Sequence, residues 1–116
     1  MTSYNAWNMV LDSTGLGNDT TRHWAQDSLL VGNNGMVTKT PTYYVFRHFS
    51  QYAQPGAKVV STTGGDAVAF KNPDGSTVVV MYNSGAANPN YAVSVGGTSY
   101  TFAMPGNGWA TVKVGP

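Results

Sequence analysis

Phe70-Lys71-Asn72-Pro73-Asp74-Gly75-Ser76-Thr77-Val78-Val79-Val80-Met81-Tyr82 is the stretch whose reading decides the fold. Asn-Pro-Asp-Gly places proline at the second position of a turn and glycine where φ turns positive. The run after it, Thr77 to Tyr82, is apolar at successive positions and therefore on both faces of an extended chain, which predicts a central strand. On the other side of the turn, Val68 and Phe70 alternate with Ala67 and Ala69, so a second strand leads into it. Val78, Val80, Phe102 and Val112 are the expected core, each contributing roughly 1.5–3 kcal/mol when fully buried.

Working outward, the β-branched run Lys58-Val59-Val60-Ser61-Thr62-Thr63 ends at Gly64-Gly65-Asp66, a turn signal. Beyond Tyr82, short strands fit Tyr91–Val95, Ser99–Ala103 and Trp109–Val114, separated by Gly96-Gly97 and by Pro105-Gly106-Asn107-Gly108. Their inward positions read as Tyr91/Val93/Val95, Tyr100/Phe102 and Ala110/Val112/Val114. Short strands at regular spacing, with no helical pattern after Gly56, predict an antiparallel β-sandwich.

The first half differs. Tyr4 to Leu11 is an apolar and aromatic stretch read as one buried strand, and Asp12 to Asp27 reads as a polar loop. Ser28–Gly32 and Met36–Thr40 flank Asn33-Asn34-Gly35, the pattern of a hairpin with an Asn-Gly turn. Thr40-Pro41 then supplies an N-cap and a proline at the first helical position. Val45, Phe49 and Tyr52 share one face at helical spacing, flanked by Phe46, and Gln54-Pro55-Gly56 stops the helix.

Composition excludes several function classes. The chain has 116 residues, charged residues make up 9 %, and the formal net charge is +1. No basic patch points to nucleic acid. No apolar run approaches the ~20 residues that span a bilayer. The opening Met1-Thr2-Ser3-Tyr4-Asn5 lacks a basic n-region and an apolar h-region, so no signal peptide is expected in this chain. Cysteine is absent, which removes disulfides and thiolate metal sites and leaves the cellular location open, a secreted parent included. All five acidic residues are aspartates (Asp12, Asp19, Asp27, Asp66 and Asp74), and there is no glutamate.

Candidate chemistry is sparse. His23 and His48 are the two histidines, far apart and without a carboxylate at ligand spacing, so neither a metal nor a cofactor is expected. His48 sits in the aromatic helix beside Arg47, where a structural role fits. No Gly-x-Ser-x-Gly elbow supports serine chemistry, and Gly15-Leu16-Gly17 does not continue into a dinucleotide motif. Asn18-Asp19-Thr20 matches a glycosylation sequon, a pattern short enough to arise by chance. Tyr4, Trp7 and Trp24 cluster near the start. Aromatic faces stack on the C–H faces of sugars, and they also pack cores. Core packing is the reading for Trp7 and for Trp109, whereas Tyr4 and Trp24 fit either role.

Several motifs together resemble a known family. Tyr4-Asn5-Ala6-Trp7-Asn8-Met9-Val10-Leu11-Asp12 is similar to the eighth barrel strand of glycoside hydrolase family 30, which contains glucosylceramidases and related β-glycosidases. Tyr43-Tyr44 followed by His48-Phe49-Ser50 and Pro55-Gly56, the Phe70–Ser76 segment with its valine run, Met104-Pro105-Gly106, and Trp109-Ala110-Thr111 resemble further motifs of that family in the same order. The resemblance implies a (β/α)₈ barrel with a β-sandwich at its side. This chain would supply the last barrel strand and helix (residues 1–53) and the β-sandwich (residues 54–116). It also implies hydrolysis of β-glycosidic bonds with retention by two glutamates on barrel strands upstream of residue 1, so no catalytic residue is carried over. Tyr4 and, in the following loop, Trp24 are the substrate-side positions that it implies. His23 is the neighbouring candidate. The implied partners are a carbohydrate or glycoconjugate substrate and the remainder of the barrel. A stand-alone carbohydrate-binding or scaffolding sandwich is the alternative; the buried strand and aromatic helix before residue 54 argue for the larger enzyme.

Overall fold

The structure, a computed structural model, describes residues 5, 8–15 and 28–116. The chain is mainly β, with nine strands and one helix among those residues. It divides into two compact units, Met1–Arg47 and His48–Pro116.

In the first unit, β1 (Val10–Asp12) pairs in parallel with β2 (Leu30–Asn33), which pairs antiparallel with β3 (Met36–Lys39). The parallel pair accounts for the long connection after Asp12, since parallel strands need a crossover of a dozen or more residues. Of the expected strand Tyr4–Leu11, residues 4, 6 and 7 lie outside the described residues; beyond them β1 begins at Val10, because Asn8 adopts a φ of 67° that an extended strand does not accommodate. β2 and β3 meet at Asn34-Gly35, both with positive φ: the Asn-Gly hairpin turn that the sequence predicts, with Asn33 in the strand and the loop one residue shorter than expected.

Thr40 caps α1 (Pro41–Ser50): its hydroxyl donates to the Ser28 carbonyl and accepts from the Tyr43 amide at 3.4 Å. Along α1, Pro41, Tyr44, Arg47 and Ser50 form an exposed stripe, and Val45, Phe46 and Phe49 are half-buried. The helix ends three residues short of the expected 53. Tyr52 and Ala53 both bond back to the Phe49 carbonyl, and Gln54–Ala57 forms a turn closed by Ala57 N–H to Gln54 C=O.

The second unit is the antiparallel sandwich. A four-stranded sheet runs β4 (Lys58–Val60), β5 (Asp66–Lys71), β6 (Thr77–Asn83), β9 (Gly108–Val114), and β7 (Asn88–Val95) pairs with β8 (Thr98–Met104) in a separate sheet. β6 is the central strand expected from its valines, with Val78, Val79, Val80 and Met81 all buried. On one face Ala69, Val79, Met81 and Met104 form the core, with Tyr91, Val93, Val95, Phe102, Ala110 and Val112 packed against it. Phe102 and Val112 are only half-buried, contrary to expectation, because two strands cannot cover a sheet of four.

The opposite face of β5, β6 and β9 carries Phe70, Val78, Val80, Tyr82 and Trp109, as the register requires. Phe49 meets Phe70 and Trp109 edge-on there, at 6.3 and 6.1 Å between ring centroids. Trp109 therefore lies outside the space between the sheets. It belongs to an aromatic cluster built with the end of α1.

Candidate functional site

Tyr4, Trp24 and the neighbouring candidate His23 lie outside the described residues, as does Trp7. What is described beside them is the turn after β1. The Asp12 carboxylate accepts from the Thr14 amide at 2.8 Å and from its hydroxyl at 2.6 Å, which spends that aspartate on its own turn. Met9 and Val10, 68 % and 50 % exposed, offer an apolar surface at the start of β1.

The second unit gathers three arrangements. The first is the aromatic cluster. His48 stacks on Trp109 at 6.3 Å, and Trp109 lies 5.1 Å from Tyr82. His48 Nδ1 and the Thr111 hydroxyl hydrogen-bond at 2.8 Å, and the same hydroxyl lies 3.4 Å from the His48 carbonyl. His48 is thus built into packing, as its place in the aromatic helix suggests.

The second is a polar knot around the β5–β6 turn. Asn72, 4 % exposed, accepts from the Gln54 amide at 3.0 Å and donates to the Tyr52 carbonyl and the Ser76 hydroxyl, each at 2.9 Å. Asp74 Oδ1 accepts from the Ser76 hydroxyl (2.6 Å) and amide (2.8 Å); Oδ2 accepts from Gln54 Nε2 at 2.7 Å and lies 3.6 Å from Lys113 Nζ. The turn holds the chain leaving α1 on both sides. Gly75 makes this possible with a φ of 85°.

The Ser76 hydroxyl and then its amide, helped by Gln54 and Lys113, hold the Asp74 carboxyl down at about 2, against an ordinary 3.8. A depressed folded value stabilises the fold above the unfolded value, and that contribution is lost as pH falls through the folded one. The melting temperature should therefore drop between about pH 4 and pH 2, and Asp74→Asn should flatten that part of the profile. Thermal melts across this window check it; an identical slope in the variant would contradict it.

The third is a cleft of about 390 Å³ between the two sheets on the β7 side, lined by Ala69, Val79, Met81, Tyr91, Thr62 and Ser94 among others. Its hydroxyls and apolar patches suit no acid–base chemistry. Among the described residues, no group of three or more His, Cys, Asp or Glu could hold a metal ion. No helix there is long and apolar enough to cross a membrane.

Residues 56–112, Trp109 and the Asn72 turn included, match the model of the glycosyl hydrolase family 30 beta sandwich domain. Residues 56–112 are a glycosyl hydrolase family 30 beta sandwich domain. In fold the chain is similar to part of SrfJ from Salmonella typhimurium, with a TM-score of 0.82 and 27 % identity over 93 % of this chain and 25 % of that one. An endo-β1,6-glucanase structure gives 0.77 and 25 %, over 92 % of this chain and 26 % of the other. Among curated relatives, a glucosylceramidase-like protein of Caenorhabditis elegans is 29 % identical over 74 % of the chain and 18 % of its own length. An endo-1,6-β-D-glucanase of Trichoderma harzianum is 37 % identical over 48 % of the chain and 13 % of its own length. The chain thus spans about a fifth or less of the length of these curated relatives.

The sequence motifs His48-Phe49-Ser50 and Asn72-Pro73-Asp74-Gly75-Ser76 are the parts that the fold assembles into the cluster and the knot. Sequence reading found both motifs and missed their connection. No local pattern records that Asn72 binds the backbone of Tyr52, twenty residues away.

Proposed function

We propose that this chain is the non-catalytic C-terminal portion of a retaining β-glycoside hydrolase, which breaks O-glycosyl bonds in its complete form. The match of residues 56–112 to the family 30 beta sandwich domain carries the reading, and the likeness to SrfJ over 93 % of this chain but 25 % of that one extends it to the first unit. In this reading residues 1–53 close a (β/α)₈ barrel and residues 54–116 are the sandwich. Two glutamates of the barrel do the chemistry, and the substrate is a β-linked carbohydrate or glycoconjugate. The relatives named for glucosylceramide and for β-1,6-glucan give the two substrate classes to try. Tyr4 and Trp24 would stack on the bound sugar.

The test uses the complete protein. It should release product with retained anomeric configuration, followed by NMR, and Tyr4→Ala should lower turnover or affinity about tenfold, the factor for ~1.4 kcal/mol of lost sugar contact, while the sandwich stays folded. Inverted product would overturn the mechanism. Unchanged kinetics would return Tyr4 to core packing. The cleft keeps one other reading open: a carbohydrate-binding sandwich would bind oligosaccharides as the isolated 116-residue chain, measurable by calorimetry.

A further inference from the structure

Two asparagines in the chain precede glycine, Asn34-Gly35 and Asn107-Gly108, and the fold treats them differently. Asn34 and Gly35 form the tip of a hairpin whose strands are four residues each, and every residue of β3 is exposed. The pairing joins Asn33 to Met36 across the turn and leaves the Gly35 amide outside the ladder. A Cβ built at Gly35 would meet nothing within 4 Å, so open space surrounds the turn.

Asn107 is held instead. Its amide donates to the Gly85 carbonyl at 3.3 Å, and Gly108 starts β9 inside the four-stranded sheet. A Cβ at Gly108 would fall 2.5 Å from Pro105 Cγ, which leaves that backbone little room to turn. Other asparagines are blocked in other ways: Asn72 and Asn88 precede prolines, which have no N–H. The Asn83 amide group donates to the Ala86 and Pro105 carbonyls.

We propose that Asn34 is a covalent modification site of this chain, converted by its own backbone and water to aspartate and isoaspartate. The Gly35 nitrogen loses its proton to a solvent base and attacks Asn34 Cγ. A C–N bond forms, the Cγ–Nδ2 bond breaks, and ammonia leaves with a proton from solvent. The resulting five-membered imide is opened by water at either carbonyl. Glycine permits the approach because no Cβ obstructs the attacking nitrogen. The aspartate product keeps an Asp-Gly turn and takes the formal net charge from +1 to zero. The isoaspartate product adds a backbone carbon to a two-residue loop, so the β2–β3 register no longer closes.

The test is to hold the 116-residue chain in mildly alkaline buffer, digest it, and follow both Asn-Gly peptides by mass spectrometry. Asn34 should convert at least about fivefold faster than Asn107, the factor that corresponds to one net backbone hydrogen bond. In urea the two rates should converge. Equal rates in the folded chain, a faster Asn107, or a ratio that survives in urea would each overturn the proposal. Asn34→Asp, which preserves the turn chemistry, should reduce ammonia release to the Asn107 rate; undiminished release would also overturn it.

Discussion

Purified as 116 residues, the chain should hydrolyse a β-glucoside no faster than buffer. Retaining hydrolysis needs two carboxyls roughly 5–5.5 Å apart, one protonated to aid the leaving group and one ionised to attack. The chain has no glutamate. Of its described aspartates, Asp12 is tied to Thr14, and Asp66 opens β5 opposite Tyr82. Asp74, held at about 2 by the Ser76 donors, is ionised at neutral pH and cannot serve as the acid, whose pKa must be raised. The rate factor at stake is on the order of 10⁶ or more, the usual enzymatic range, so the assay is decisive. Release of a chromogenic aglycone is the measurement, and turnover above the buffer control would overturn the expectation.

Asn72→Leu should destabilise the chain by about 2–4 kcal/mol, although leucine branches at Cγ as asparagine does. The change leaves the Gln54 amide and the Tyr52 carbonyl without their side-chain partner and removes the donor to the Ser76 hydroxyl. A buried group that loses its partner costs its desolvation, roughly 1–3 kcal/mol each, more than the net gain of forming the bond. Asp74→Asn should cost much less at neutral pH, since that side chain is solvent-accessible and its pair with Lys113 is screened. Urea unfolding checks both: the midpoint should fall for Asn72→Leu at constant slope. A loss under about 0.5 kcal/mol would mean that the knot follows the fold instead of holding it.

Particular elements show why part of this architecture is legible in one dimension. Asn34-Gly35 and Thr40-Pro41 are local signals, because turn and cap conformations depend on the residues at those positions, and both stand where the sequence places them. β6 is legible for another reason: the successive apolar residues Val78 to Met81 leave no face for solvent, so the strand must be covered on both sides. The start of β1 was not legible, since a left-handed Asn8 depends on what surrounds it. The candidate sugar contacts at Tyr4 and Trp24 rest on the family resemblance alone.

The sequence by itself determined that the second half is an antiparallel sandwich around β6, that one helix precedes it, and that the chain has no glutamate. Those conclusions follow from period, turn chemistry and composition, which are properties of neighbouring residues. Only the tertiary structure decided which face of β9 meets the end of α1. Ala110 and Val112 alternate with Trp109 and Thr111, and alternation alone cannot say that the tryptophan points away from the space between the sheets. Only the tertiary structure joined Asn72 to Tyr52 and Gln54 and left Phe102 and Val112 half-covered. These outcomes depend on contacts between residues distant in sequence and on how much of one sheet the other covers, so no local window contains them.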